Sequence, residues 1–194
     1  MLMEISTTGH NVDVGEALRG HVEAALSDSV GKYFEKALNA DVTFSKEGGH
    51  RFHVDIRVHP KRGMVVHGGA EGGDAYGAFD GALERIAKQL RRYKRRLNDH
   101  HKTPASEVIL KAQQYVLQGE EEDAELPESS DPVIIAEMDA EIVTLSVSDA
   151  VMRMDLAHAP VMMFRNSANG RLNVVYRRED GNIGWIDPAE DAAD

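Results

Sequence analysis

Eight of the twenty residues in LERIAKQLRRYKRRLNDHHK, Leu83 to Lys102, are Lys or Arg, against two acids, Glu84 and Asp99. Guanidinium and ammonium groups at this density suit one chemistry above all, the binding of phosphate oxygens through charge-assisted hydrogen bonds. The basicity is local, because the 194-residue chain carries a formal net charge of -11. Residues 1–102 hold 16 Lys/Arg and 14 Asp/Glu, a net of +2, whereas residues 103–194 hold 6 and 19, a net of -13. Two halves of opposite sign predict a different partner for each.

Other chemistries find less support. The chain has no cysteine, which excludes thiolate zinc sites, a cysteine nucleophile and a disulfide framework. Of its nine histidines, His53, His59 and His67 fall on or beside expected strands, but none makes an HxxxH or HExxH spacing. No metal or cofactor is therefore expected. GGAEGGDAYG opens a helix but lacks the GK[ST] ending and the GxGxxG spacing of phosphate loops. With no G-x-S-x-G and no framed acid pair, a catalytic constellation is absent and the chain reads as a binding protein rather than an enzyme. No apolar run approaches the ~18 residues of a membrane span. The N-terminus MLMEISTTGH carries Glu4 and no basic region of a secretory signal, so a soluble cytosolic protein is expected.

The basic run needs an element to display it. GGDAYGAFDGALERIAKQLRRYKRRL reads as one long helix capped by Asp74, with Phe79, Leu83, Ile86, Leu90, Tyr93 and Leu97 as its apolar stripe. With that stripe on a core, Arg85, Lys88, Arg92 and Arg95 share one outer flank, and Arg91, Lys94 and Arg96 extend it. Acidic partners at i±4 are limited to Glu84 for Lys88 and Asp99 for Arg95. Ahead of this helix come a strand at 2–7 and a helix started by an Asp13/Glu16 capping box, its face made by Val14, Leu18, Val22, Ala25 and Leu26. Three strands, ADVTFSKE, RFHVDIRVHP and GMVVHGGA, follow, with turns at Gly48-Gly49 and Lys61-Arg62-Gly63. The first domain, 1–102, is thus β-α-β-β-β-α, with two helices on one face of a small sheet. Such a double-stranded-RNA-binding-like module suits recognition of folded RNA by shape and phosphate. Lys46, Arg51, Lys61 and Arg62 are candidates to widen its patch, with Arg19, Lys32 and Arg57.

Residues 103–131 have the composition of a flexible acidic linker, GEEEDAELPESSD, preceded by a possible helical arm, ASEVILKAQQYVLQ. A small α+β domain spans 132–194. A short helix capped by Ser146 and Asp149 leads into PVMMFRN, RLNVVYRRE and GNIGWIDP, separated by the hairpin dipeptides Asn169-Gly170 and Asp180-Gly181. Met138, Met152, Met154, Met162, Met163 and Trp185 are expected to fill its core. Strand alternation puts Val174 and Tyr176 opposite Val175, so both faces are apolar. Phe164, Val174, Val175 and Tyr176 are the expected dimer contacts, because a domain this small cannot cover both faces alone.

These stretches carry a resemblance. DAYGAFDGALERIAKQLRRYKRRL, after the β-α-β-β-β order, resembles the ribosome-associated inhibitor and hibernation-factor family. FRNSANGRLNVVYRREDGNIGWIDP is similar to the C-terminal domain of that family's long form. The resemblance implies a first domain in the messenger and transfer RNA channel of the small ribosomal subunit, contacting ribosomal RNA and inhibiting translation. It also implies a homodimer of the second domain that joins two ribosomes, with no membrane partner. One departure is that VIIAEMDAEIVTLSVSDAVMRM is acidic where family members commonly carry a Lys-rich strand. The rival readings are a general structured-RNA-binding protein and a small metal-dependent enzyme using the strand histidines.

Overall fold

The computed structural model describes residues 3–34, 37–47, 51–99, 108–118 and 133–189. Its first sheet has strand order β1-β2-β3-β4, built from β1 (Glu4–His10), β2 (Asn39–Glu47), β3 (Arg51–Lys61) and β4 (Met64–Gly72). β1 runs parallel to β2 across the helix α1 (Glu16–Gly31), and the remaining pairs are antiparallel. The register sets Val42 beside Ile56 and Phe44 beside Val54, while Val58 meets Val66 on the other side of β3. One face of the sheet is therefore continuously apolar. Leu18, Val22, Leu26 and Val30 of α1 close over it, as do Ala78, Phe79, Ala82, Ile86, Leu90 and Tyr93 of α2 (Ala75–Asp99). Gly68 lets α2 approach β4, since a Cβ there would meet the Ile86 side chain at 3.0 Å and the Ala82 carbonyl at 3.1 Å.

The α+β order is the expected one for this half. The Asp74 carboxylate accepts from the Gly77 amide at 2.9 Å, as a cap should. The Asp13/Glu16 box does not form: α1 starts after Gly15 with no side-chain cap. Its start is held instead by burial of Val14 and Leu18 in the core. The turn at Lys61-Arg62-Gly63 forms with Gly63 at φ 62°; Gly48-Gly49 lies outside the described residues.

The second sheet has order β5-β6-β7-β8-β9. It comprises β5 (Ile109–Leu117), β6 (Ile134–Leu145), β7 (Val161–Asn166), β8 (Leu172–Arg177) and β9 (Ile183–Ile186), with α3 (Val147–Leu156) between β6 and β7. Ser146 caps α3, accepting from the Asp149 amide at 3.1 Å. Residues 109–117, expected within a helical arm, instead form β5, paired along its length with β6. The apolar residues of VILKAQQYVL fit a helical spacing as well as a strand, and only the distant partner decides between them. The acidic run therefore lies between two paired strands, outside the described residues, and nine residues (100–108) separate α2 from β5.

Phe164 and Val175 are fully buried against Val143, Leu145, Ala150 and Met154. Met138 and Met163, expected in this core, are exposed. Trp185 is half out of the core, with its indole N–H donating to Asn173 Oδ1 at 2.9 Å. Among the described residues no helix is long and apolar enough to cross a membrane.

Candidate nucleic-acid interface

The core stripe of α2 turns its basic residues outward, as expected, but packing sorts them into three groups. Lys94 leans toward α1, donating to the Lys32 carbonyl at 3.3 Å with its ammonium 5.9 Å from the Tyr33 ring. Arg85 reaches over the sheet edge and donates to the Gly69 carbonyl of β4. Arg92 lines a cleft against α3 with Asp155 and His158. Between these flanks Lys88, Arg91 and Arg95 are exposed. Among the described residues none of the three has an ion-pair or hydrogen-bond partner, and the expected Glu84–Lys88 pair is not formed. The side chains of Arg96, Leu97 and Asp99 lie outside the described residues. Three uncompensated cations on consecutive turns of one helix repel each other until an anion arrives.

The flanking candidates do not gather into one patch. Lys61 and Arg62 sit in the β3–β4 turn. Arg51 starts β3 and Lys46 is paired in register with Phe52, its ammonium 5.1 Å from that ring. The two pairs therefore lie at opposite ends of β3, roughly 30 Å apart at strand rise. Because Gly72 pairs with Phe52 and α2 begins at Ala75, Lys46 and Arg51 belong with the start of α2, and its basic half runs toward the Lys61–Arg62 end. Arg51 also faces Glu71 at 3.4 Å, an exposed pair of little energetic weight. Arg19 donates to the Val14 carbonyl at 3.1 Å and Lys32 to Asp28 at 2.7 Å, so both serve α1.

Two of the strand histidines, His53 and His67, share one carboxylate, while His59 lies 3.9 Å from Asp41. Asp55 accepts from His67 and, at 3.1 Å, lies within hydrogen-bond reach of His53. Burial works against the Asp55 charge, but the hydrogen bonds from His67 and His53 outweigh it and hold the carboxyl below its usual value. A depressed carboxyl pKa contributes stability that is complete above the ordinary value of 3.8 and is lost as pH falls through the lowered one. Asp55→Asn should therefore flatten the stability–pH profile at acid pH, read by thermal unfolding; an unchanged profile would remove Asp55 from the account. Among the described residues no three His, Asp or Glu side chains are arranged to hold a metal ion.

What sequence reasoning missed is the cleft beside Arg92, formed by Gln89, Met152 and Leu156 with Asp155 and His158. A signal was present: α3 is apolar at Ala150 and Met154 and again at Met152 and Leu156, which is one face more than its own sheet can cover.

Two family models match successive parts of the chain. Residues 5–98 match the family model described as sigma 54 modulation protein / S30EA ribosomal protein. Residues 129–184 match the model of that family's C terminus. A ribosome hibernation promotion factor of Rhizobium meliloti is 38% identical over 187 residues, covering 96% of this chain and 98% of that one. Its namesake in Bradyrhizobium diazoefficiens is 40% identical over 199 residues, covering 99% and 98%. The ribosome hibernation promoting factor of Salmonella typhimurium is 35% identical over 98 residues, which is 50% of this chain and 100% of that protein.

Proposed function

The chain belongs to the sigma 54 modulation protein / S30EA ribosomal protein family, and from that premise we propose that it is a ribosome hibernation factor acting by occupancy. The first domain binds ribosomal RNA of the small subunit in the channel for messenger and transfer RNA, and so inhibits translation in the cytoplasm. The observation that carries this reading is the row Lys88, Arg91 and Arg95, exposed and unanswered on a helix whose other side is locked into the core. Cations held at fixed spacing along a rigid helix suit the phosphates of a folded RNA better than a flexible anionic chain. Sucrose-gradient sedimentation of ribosomes with and without the protein tests it. The protein should travel with the small subunit and suppress translation in a cell-free assay, and failure to co-sediment would end the reading.

The second domain joins two ribosomes by pairing with its own copy. In the β7-β8-β9 register Met163 and Ile186 flank Val174, and Val161 lies beside Tyr176. Met163, Ile186, Val161 and Leu172 are exposed on this outer face. An apolar sheet face of this kind on a small five-stranded domain calls for a partner, and a second copy covers both at once. Val174 and Tyr176 are thus dimer contacts in this reading. Phe164 and Val175 support the face from inside, since α3 already covers them.

The domains should separate by function. Residues 1–99 contain the whole α2 surface, and the relative from Salmonella typhimurium, which matches only about half of this chain, carries a hibernation name of its own. That fragment should inhibit translation to within a few-fold of the full chain without pairing ribosomes. Paired ribosomes in the gradient with the fragment alone would overturn the assignment of pairing to the second domain.

A further inference from the structure

α3 is buried on two sides by two different domains. Ala150 and Met154 pack into its own sheet with Phe164 and Val175, whereas Met152 and Leu156 join the core of the first domain. Between them Arg153, only 4% exposed, donates to the Gly63 carbonyl at 2.9 Å. The turn fits this contact closely, since a Cβ at Gly63 would collide with a Val143 methyl. Farther along, the Gln89 amide of α2 donates to His158 Nε2 at 2.9 Å, and His158 stacks edge-on against His67, centroids 5.2 Å apart.

We propose that the open edge of β4 and the Gln89–Arg92 flank of α2 are a docking surface for the chain's own α3. The docked, closed form holds the phosphate-binding surface back from RNA until the domains part. The second statement rests on the RNA reading of α2; the first does not. Nine residues separate α2 from β5, so the effective concentration of α3 at its dock is of order millimolar and a weak contact suffices. Closure costs RNA affinity because α3 covers the Gln89–Arg92 flank of α2, so a phosphate backbone approaching that flank must first displace it. Opening exposes Met152 and Leu156, so the closed form also shields apolar surface in the free protein.

The dock is built to loosen in acid. Burial lowers the His158 pKa, and His67, Arg177 and Arg85 lower it further against the opposing pull of Asp155. Arg92 shares its cleft, and Asp55 anchors His67. A lowered pKa means that docking is complete while His158 is neutral and is lost as pH falls through that value, below 6.5.

A dye pair tests the inference in the full chain, which has no cysteine of its own. Glu23→Cys and Ser167→Cys are exposed positions, one in each domain. Energy transfer should be high at neutral pH in an excess of unlabelled chain, which suppresses transfer between chains. It should fall in the Met152→Asp/Leu156→Asp variant, which leaves Ala150, Met154, Phe164 and Val175 in place. Gln89→Arg, made on the other side of the contact, should lower transfer without touching the second domain at all. Acidification from pH 7 to 5 should do the same in the wild type, and less so with His158→Gln. The Met152→Asp/Leu156→Asp variant should bind purified small subunits roughly three- to ten-fold more tightly, while Gln89→Arg, which adds a cation to α2, reads the docking alone. Transfer insensitive to both variants would overturn the docking. Reduced transfer with unchanged subunit affinity would overturn the restraint on RNA binding. If neither wild type nor variant binds subunits, the ribosome reading fails while the transfer signal still decides the dock.

Discussion

Reversing Lys88, Arg91 and Arg95 to Glu should abolish binding to the small ribosomal subunit while leaving the fold intact. All three are exposed and outside the core, so the change in stability should stay within about 0.5 kcal/mol per site. The cost to binding is of another order. Each cation that neutralises a phosphate releases counterion, and losing three such contacts should reduce the slope of log affinity against log salt by about 3. At low salt the loss of affinity should be on the order of 100-fold or more, since each site turns from attraction to repulsion. Filter binding to purified subunits across a salt series, with circular dichroism on the variant, provides both readings. Full binding by the variant, or wild-type binding indifferent to salt, would remove α2 from the RNA surface. Lys94→Glu is the internal contrast: its ammonium is engaged with the Lys32 carbonyl and the Tyr33 ring, so its effect on affinity should be much smaller.

Met163→Asp with Val174→Asp should leave a folded second domain that no longer pairs. The outer sheet face loses its apolar character, while the buried set Val143, Leu145, Ala150, Met154, Phe164 and Val175 is untouched. Full-length variant protein should still silence single ribosomes and should form no paired ones in the gradient. Analytical ultracentrifugation should report a monomer for the variant and a dimer for the wild type. Phe164→Asp or Val175→Asp should behave differently. Each buries a charge among apolar side chains that are themselves fully buried, at a cost of about 3–5 kcal/mol. In a core this small that is enough to unfold the domain, seen as lost near-ultraviolet signal from Trp185. A wild-type second domain that stays monomeric at micromolar concentration would defeat the pairing proposal outright.

The two outcomes separate because a sheet face cannot be assigned from alternation alone. RLNVVYRRE shows that Val174 and Val175 point opposite ways, and the chain carries no local mark of which way is in. Only α3, crossing one face with Ala150 and Met154, makes Val175 interior and leaves Val174 outside. β5 teaches the same lesson. Its residues are compatible with a helix, and the choice was made by β6, a partner beyond the acidic run.

Local signals were enough where period and cap agreed. The long basic helix, its Asp74 cap, its apolar stripe from Phe79 to Tyr93, the three central strands and the Gly170 and Gly181 turns follow from spacing within a few residues. So does the fact that the basic residues of α2 face away from the core, because a stripe of period 3.6 leaves them nowhere else to go. Which of those cations remain unpaired is a different matter. Arg85 was taken up by a β4 carbonyl and Lys94 by the end of α1, whereas Arg92 lines the cleft against α3 and stays exposed. None of these neighbours lies within a helical turn in sequence. Composition and periodicity by themselves determined that this chain presents a basic helix and a small apolar-rich sheet. Tertiary structure alone decided which of the described cations are engaged and which sheet face stays bare, because both depend on groups that folding brings from far along the chain.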